Sequence, residues 1–228
     1  TYPGIDDAKA HFKLLLKAFR DERYVKVDGK PYLFIFDPVA LPQEYVECFK
    51  KMSVEAGFPG IYLVANVSDN SIKKEVMLQK GYDAVCYCDI LGHAQQKRNT
   101  FWHKVYKHLQ GILLNRPTHV YDYSKHYKEL IGEIDKDENV IPQIVPQWDH
   151  SPRGGRKTNI YINSTPENFA KHVRMAMEAI KGKKEEHQIL MLKSWNEWAE
   201  GNYMEPDLTH GRGYIDALRQ VVDEYREK

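Results

Sequence analysis

The stretch I-L-M-L-K-S-W-N-E-W-A-E-G-N-Y-M-E-P-D, residues 189–207, decides the fold and the chemistry that this sequence predicts. It begins with an apolar run of strand length, residues 189–192, and continues into the carboxylates Glu197 and Glu200, which lie among tryptophans and an asparagine. Acids at the end of a buried strand cost stability, and such a cost is expected where the acids are functional. We therefore predict a buried strand whose carboxyl end carries a functional site.

Short apolar, β-rich runs alternate with amphipathic segments along the rest of the chain. The runs predict buried parallel strands at residues 32–36, 61–65, 84–88, 140–145 and 188–192. The amphipathic segments predict helices at residues 8–19, 44–56, 72–80, 94–114, 125–134, 167–180 and 214–226. Strands that alternate with helices of this length imply crossover connections and a parallel sheet, and therefore an α/β domain.

Local signals mark several boundaries of these elements. Thr165 supplies a hydroxyl N-cap before Pro166, which suits the first helical position. Gly57 and Gly81 follow predicted helices, where a left-handed residue is wanted. Residues 151–158, S-P-R-G-G-R-K-T, predict a long flexible loop.

Composition limits the classes of function. The 228 residues are 42% hydrophobic, enough for a substantial core in one domain or slightly more. Lys and Arg total 33 against 32 Asp and Glu, and the net charge of +1 gives no field that would attract nucleic acid or an acidic membrane. Three cysteines without framework spacing favour either a reducing compartment or a protein that is indifferent to the redox state. No apolar stretch reaches membrane-spanning length and no signal peptide is present, although the chain begins at Thr1 and we expect an upstream part.

Polar side chains follow each predicted strand, where parallel strands would meet at one rim. They are Asp37, Asn66, Asp89, Trp148 with Asp149, and Trp195 with Asn196 and Glu197. For Asp37 and Asp89 we favour a turn or helix cap, since acids at such positions are common. For Trp148 and Asp149 a structural turn and a site remain open. Glu197 and Glu200 favour function, because acids flanked by aromatic residues tend to be held in perturbed environments.

Paired carboxylates suit the cleavage of a glycosidic bond. One carboxyl group protonates the leaving oxygen, and the second serves as base or nucleophile. The flat faces of Trp195 and Trp198 are of the kind that stack on sugar rings. We also expect these indoles to form an apolar wall that raises the pKa of one carboxyl group, as a hydrophobic pocket does in other glycosidases.

Other chemistries find less support in the sequence. A metal-dependent nucleotide-sugar transferase needs an Asp-x-Asp pair, and the pair Asp135 and Asp137 lies in a polar run that predicts a solvated helix end. The histidines show no ligand spacing and H-E-x-x-H does not occur, so we predict no metal site and no cofactor. The glycines at 154 and 155 do not follow a phosphate-loop pattern. They predict a mobile rim loop, with contact to an anionic sugar or phosphate as the alternative.

The motif W-N-E-W-A-E-G-N-Y-M-E-P-D resembles the signature of the WbsX family of polysaccharide-biosynthesis proteins, which is similar to the W-N-E-W-x-E-G motif of glycoside hydrolase family 99, the endo-α-mannosidases. Residues 24–31, Y-V-K-V-D-G-K-P, and residues 148–153, W-D-H-S-P-R, fit the same pattern, although the family usually has Asn after Trp-Asp. The resemblance implies a (β/α)₈ TIM-type barrel in which the five predicted strands are the last five. Residues 1–228 would then form the C-terminal portion of a single family-99-like barrel domain.

The resemblance also implies roles for individual residues. Glu197 becomes the base toward the sugar 2-hydroxyl, and Glu200 becomes the general acid/base at the glycosidic oxygen. The route retains configuration through a 1,2-anhydro sugar. Ala199 replaces the histidine typical of the hydrolases, so substrate and activity can differ. The implied substrate-binding residues are Trp195, Asn196, Trp198, Glu205, Trp148, Asp149 and Arg153.

Three functions follow as hypotheses. The first is a carbohydrate-active enzyme that cleaves glycosidic bonds of a polysaccharide. The second is a glycosyltransferase that builds a cell-surface polysaccharide, such as the O-antigen of lipopolysaccharide or a capsule, from an activated donor. The third is a non-catalytic glycan-binding module. In each the partner is an oligosaccharide or polysaccharide, and we expect a cytoplasmic bacterial protein.

Overall fold

The computed structural model describes residues 2–88, 119–155 and 158–226. The chain forms two compact units, each assembled from separate stretches of sequence. Unit 1 comprises Thr1–Asp89, Asp137–Ile141 and Lys183–Ile189, and unit 2 comprises Ile90–Lys136, Pro142–Gly182 and Leu190–Lys228. Asp89 and the helix predicted at residues 94–114 lie outside the described residues.

Unit 1 contains a four-stranded sheet and three helices. The elements are α1 (Ile5–Phe19), β1 (Lys26–Val27), β2 (Lys30–Ile35), α2 (Gln43–Glu55), β3 (Tyr62–Val67), α3 (Lys74–Gln79) and β4 (Ala84–Tyr87). The strand order is β1-β2-β3-β4, with β1 antiparallel to β2 and the other pairs parallel. Tyr32 lies opposite Tyr62, and Ala65 lies opposite Val85. The three strands predicted in this part of the chain are confirmed, with bounds shifted by no more than two residues. β3 and β4 are buried as predicted, but β2 is mostly half-exposed.

The helices of unit 1 form where the sequence places apolar residues at helical spacing. α1 buries Ala8, Phe12 and Phe19 on one face, and the ring of Phe12 lies 5.9 Å from that of Phe49 in α2. Gly57 and Gly81 follow α2 and α3 with φ angles of 93° and 95°, as their position after a helix predicts.

The carboxylate of Asp37 accepts a hydrogen bond from the backbone N–H of Ala40 at 3.0 Å. The capping interpretation of Asp37 is therefore confirmed.

The described residues of unit 2 form short parallel strand pairs, an antiparallel hairpin and two long helices. Its elements are β5 (His119–Asp122), α4 (Tyr123–His126), β6 (Gln143–Ile144), α5 (Ser151–Gly154), β7 (Asn159–Ile162), α6 (Pro166–Ile180), β8 (Met191–Leu192), β9 (Asn196–Glu197), β10 (Asn202–Tyr203) and α7 (Gly213–Arg226). β5 pairs with β7 and β6 with β8, both parallel, whereas β9 and β10 are antiparallel. Parallel pairs with intervening helices make the fold mixed α/β, as predicted.

Aromatic rings dominate the core of unit 2. Tyr123 and Phe169 are fully buried, and Tyr123 stacks on Tyr161 with ring centroids 5.3 Å apart. His172 on α6 is also fully buried, with Nδ1 2.9 Å from the Tyr123 hydroxyl. α6 begins where the sequence predicts, because the hydroxyl of Thr165 accepts a hydrogen bond from the backbone N–H of Asn168.

Several strand predictions need correction. β5 and β7 were not predicted, because each is a four-residue, half-exposed strand that lacks a continuous apolar run. The strand predicted at 140–145 is reduced to β6, and Val140 forms only an isolated bridge with Val85. The strand predicted at 188–192 is reduced to β8, and residues 189–192 are half-exposed rather than buried.

The helix predicted at residues 125–134 is wrong. The carboxylate of Asp122 caps the backbone N–H of Ser124, so α4 begins earlier than predicted and ends after four residues. Two 3₁₀ turns follow, Tyr127–Glu129 and Glu133–Lys136, and Gly132 separates them. Asp135 is buried and accepts a hydrogen bond from the N–H of Gly132 at 2.8 Å, so it is not the solvated acid that we predicted.

The loop predicted at residues 151–158 is also wrong in its first half, because residues 151–154 form the single turn of α5. Asp149 starts this turn through a hydrogen bond from the backbone N–H of Ser151 to its carboxylate, at 2.9 Å. Arg156 and Lys157 of the same predicted loop lie outside the described residues.

Candidate active site

The predicted catalytic residues lie on the β9–β10 hairpin of unit 2. Glu197 ends β9 opposite Asn202 of β10, and the 3₁₀ turn Trp198–Glu200 connects the two strands. Asn202 is fully buried. Its side-chain oxygen accepts from the backbone N–H of Ser194 at 2.9 Å, and its backbone oxygen accepts from the Ser194 hydroxyl at 2.8 Å. These bonds fix the start of the hairpin relative to its second strand.

Gly201 holds the hairpin turn against the segment that carries Asp149. It adopts a left-handed conformation with φ of 52°. A Cβ atom at this position would lie 2.9 Å from Cβ and 3.0 Å from the backbone nitrogen of Asp149. The backbone N–H of Asp149 donates to the backbone oxygen of Glu200 at 2.9 Å. Only glycine meets both requirements, the positive φ and the close approach.

Arg153 contacts both predicted catalytic carboxylates. Its Nη1 lies 2.8 Å from Oε1 of Glu200 and 4.0 Å from Oε1 of Glu197. The side chain of Glu200 is 18% exposed, whereas that of Glu197 is 40% exposed. Nε2 of His150 lies 3.5 Å from the same Oε1 of Glu200. Two basic side chains therefore converge on the more buried of the two glutamates.

The shared guanidinium limits the separation of the carboxylates. Since both distances meet at Nη1 of Arg153, Oε1 of Glu197 and Oε1 of Glu200 lie no more than about 6.8 Å apart. Carboxyl groups are about 5–5.5 Å apart in retaining glycosidases and about 6.5–9.5 Å apart in inverting ones. The bound is compatible with the retaining range.

The two tryptophans of the motif differ in their surroundings. Both are about half exposed, Trp195 at 48% and Trp198 at 47%. The indole of Trp198 stacks on Tyr203 with ring centroids 3.7 Å apart and planes 13° apart, and its Nε1–H donates to Glu205 at 2.6 Å. Burial raises the pKa of the Tyr203 phenol. The Trp198 indole is thus held in one orientation by its contacts with Tyr203 and Glu205, while about half of its surface stays exposed.

The remaining predicted site residues separate into exposed and buried groups. Asn196 is exposed on the hairpin. Trp148 is only 7% exposed, and its ring lies 6.0 Å from the ring of His150 and 5.2 Å from the ammonium of Lys193. In this structure the buried Trp148 ring packs against His150 and Lys193 and does not offer an exposed stacking face. Asp149 acts through the backbone contacts described above.

Sequence reasoning missed four residues that shape this site. His150 is adjacent to Asp149, but its approach to Glu200 is a tertiary contact. Lys193 lies two residues before Trp195, and its contact with the ring of Trp148 is also tertiary. Tyr203 and Asn202 lie inside the quoted motif. Their pairing with β9 could have been found from the turn-forming Gly201 between two short extended segments.

Comparison with known proteins gives the family of this chain. Residues 1–218 match the family described as Glycosyltransferase WbsX. The chain belongs to the WbsX glycosyltransferase family. The resemblance read from the W-N-E-W-A-E-G motif is thereby confirmed, and the match extends over both units.

Two curated relatives are described as uncharacterised WxcX proteins, from two strains of Xanthomonas campestris pv. campestris. One is 29% identical over 104 residues, which are 45% of this chain and 15% of the relative. The other is 23% identical over 224 residues, which are 95% of this chain and 30% of the relative. The WbsX-family chain thus spans less than a third of the length of these relatives.

Solved structures share the fold. A glycoside hydrolase-like protein has a TM-score of 0.58 at 15% identity, with 95% of this chain and 62% of the other chain covered. The GH99 endo-alpha-mannosidase from Bacteroides thetaiotaomicron in complex with BIS-TRIS-propane has a TM-score of 0.57 at 14% identity, with 97% and 66% covered. At these identities the likeness establishes a common α/β fold with the GH99 enzymes, as the motif resemblance predicts.

The described residues lack two features, a membrane-spanning helix and a cluster of metal-binding side chains. No helix within residues 2–88, 119–155 and 158–226 combines the length and the apolar character that crossing a bilayer requires. The same part of the chain holds no group of three or more His, Cys, Asp or Glu side chains arranged to bind a metal ion.

Proposed function

We propose that the chain is part of a carbohydrate-active enzyme that acts on glycosidic bonds of a polysaccharide, with Glu197 and Glu200 as its catalytic pair. The observation that carries this proposal is the convergence of both carboxylates on one guanidinium, that of Arg153. Half-exposed indoles lie on the same hairpin and offer stacking faces for sugar rings. Membership of the WbsX family and the fold shared with GH99 enzymes support it.

The proposed reaction retains configuration at the anomeric carbon. Glu197 accepts the proton of the 2-hydroxyl as that oxygen attacks the anomeric carbon, and Glu200 donates a proton to the departing glycosidic oxygen. A 1,2-anhydro sugar forms. Glu200 then removes a proton from water as the water oxygen attacks the anomeric carbon. The bond from that carbon to the 2-oxygen breaks, which opens the three-membered ring, and Glu197 returns a proton to the 2-oxygen. The separation of at most about 6.8 Å between the two Oε1 atoms is compatible with a retaining arrangement.

We further propose that residues 1–228 form the C-terminal portion of one (β/α)₈ barrel domain. The five predicted strands correspond to β2, β3, β4, β6 and β8. They pair in parallel as β2-β3-β4 and as β6-β8, which a barrel requires. β5 and β7 form an additional parallel pair outside that count.

A glycosyltransferase is the second candidate, favoured by the description of the matching family. The same two glutamates would serve it. Glu200 would assist the departure of an activated leaving group, and an acceptor hydroxyl would take the place of water. This reaction depends on a sugar donor, which hydrolysis does not need.

Glu200→Gln and Glu197→Gln in the full chain test the catalytic assignment. We expect each variant to lose at least about 100-fold in turnover of bacterial glycans, because general acid–base catalysis contributes about 10²- to 10⁴-fold. Glu133→Gln is a matched control, since this glutamate is 90% exposed and pairs with Lys136 in the same unit. Circular dichroism checks folding, and dependence on a nucleotide-sugar donor separates transfer from hydrolysis. If the glutamine variants match the wild type on every glycan that binds, the catalytic assignment is wrong. If the wild type itself turns over no glycan that it binds, with or without a sugar donor, a non-catalytic glycan-binding module takes the place of the enzyme.

A further inference from the structure

The carboxylate of Glu200 is held asymmetrically. Nη1 of Arg153 at 2.8 Å and Nε2 of His150 at 3.5 Å both approach Oε1. A guanidinium has only donors and keeps its proton in proteins. The oxygen that accepts from Arg153 is therefore poorly placed to carry the proton that a glycosidic oxygen needs. The geometry leaves that task to Oε2 of Glu200.

The groups that hold Oε1 are themselves fixed by the fold. Asp149 starts α5, which carries Arg153, and its backbone N–H donates to the backbone oxygen of Glu200. Nδ1 of His150 lies 3.1 Å from the hydroxyl of Thr158, which sets the orientation of the ring. Residues 149–153 thus contact Glu200 at two places, its backbone oxygen and Oε1 of its carboxylate.

Stability alone does not account for the Arg153 contact. The arginine side chain is 54% exposed, and half-exposed ion pairs typically contribute no more than about 1 kcal/mol. The directional contact, in contrast, fixes which oxygen of Glu200 faces away from the guanidinium. Orientation is therefore the property that this pair supplies.

We propose that Arg153 is a positioning residue that acts through Glu200, holding Oε1 so that Oε2 exchanges the proton with the glycosidic oxygen. The inference rests on the proposed function of Glu200 as general acid/base. It differs from direct binding of the sugar by Arg153, which the family resemblance implies. It also predicts that the substrate needs no anionic group opposite Arg153.

A double-mutant cycle in the full chain separates the two roles. The probes are the glycan turned over by the wild type and the 2,4-dinitrophenyl glycoside of the sugar released from it. We expect Arg153→Met to slow turnover of the glycan about 10- to 100-fold, the loss that a misplacement of about 1 Å causes. In the Glu200→Gln background the same substitution should change the rate less than about 2-fold. On the dinitrophenyl glycoside, whose leaving group needs no acid, the loss in Arg153→Met should shrink to less than about 3-fold.

Further variants complete the cycle. Arg153→Lys retains the cation and should recover part of the lost kcat. Arg219→Met is the matched control, because Arg219 forms an exposed pair with Asp223 on α7 and should behave as wild type with both probes.

The outcomes distinguish this inference from the proposed function. If Glu200→Gln slows turnover and Arg153→Met lowers the remaining rate further in that background, Arg153 acts by a route other than Glu200, through Glu197 or the sugar, and the inference is overturned. An equal loss on both probes overturns it too. If Glu200→Gln leaves turnover unchanged, the catalytic assignment itself fails.

Discussion

Gly201 is the position where a single methyl group should do most damage to the candidate site. The Gly201→Ala substitution places Cβ 2.9 Å from Cβ of Asp149 and 3.0 Å from its backbone nitrogen, while φ stays at 52°. Both contacts are closer than van der Waals contact, and one is with backbone, which cannot rotate away. The substitution therefore combines a conformational cost with a steric one.

The two costs can be separated with a matched glycine. Gly211 has φ of 54°, and a Cβ atom added there would have no heavy atom within 4 Å. Gly211→Ala therefore carries the conformational cost alone. We expect that cost to be about 1–2 kcal/mol. Overpacking adds about 1–3 kcal/mol, so Gly201→Ala should lower the free energy of unfolding by about 2–5 kcal/mol.

Urea unfolding followed by tryptophan fluorescence measures this difference. Trp148, Trp195 and Trp198 all lie in unit 2, as do both glycines. Turnover should also fall in Gly201→Ala, because a shift of the turn moves Glu200 away from Arg153. Equal destabilisation by the two substitutions, within about 0.5 kcal/mol, would refute the close approach of Gly201 to Asp149.

Two further predictions concern protonation and glycan stacking. Burial lowers the pKa of His172 from 6.5 to about 3, so the folded protein keeps the imidazole neutral while the unfolded chain binds a proton below about pH 6.5. The free energy of unfolding should therefore fall as pH drops from 7 toward 3, by about 2 kcal/mol at pH 5. Urea unfolding of His172→Gln at several pH values tests this, and the same dependence of the free energy of unfolding on pH as in the wild type would contradict it. Glu205→Leu removes the acceptor of the Trp198 indole and should raise KM about 3- to 10-fold with little change in kcat, whereas Glu205→Gln keeps an acceptor and should stay near wild type.

The parts of the fold that the sequence predicts are those with strong local signals. β2, β3 and β4 are continuous apolar runs, and α6 begins at the Thr165–Pro166 signal. β5 and β7 escaped prediction because half-exposed strands of four residues carry little periodicity. The predicted helix at 125–134 failed because two local bonds, from Ser124 N–H to Asp122 and from Gly132 N–H to Asp135, divide it into shorter turns.

The candidate site shows a similar division. Glu197 and Glu200 are found from the motif, since carboxylates among indoles are unusual enough to stand out. The contacts of Glu200 with Arg153 and His150 depend on residues 47 and 50 positions away, and on the packing of Gly201 against Asp149. Such contacts follow from the hairpin register and the placement of α5, which no local pattern encodes.

The discontinuity of unit 1 has a consequence for synthesis on the ribosome. Its sheet is complete in sequence by β4, but Val140, which bridges β4, and His187, whose Nε2 lies 2.8 Å from the carboxylate of Asp28, follow much later. At about 5–20 residues per second, roughly 3–11 s pass between the emergence of β4 and that of Val140. During this interval the β4 edge is open to other nascent chains. The elongation rate through the intervening residues should therefore influence how much of the protein reaches its folded state.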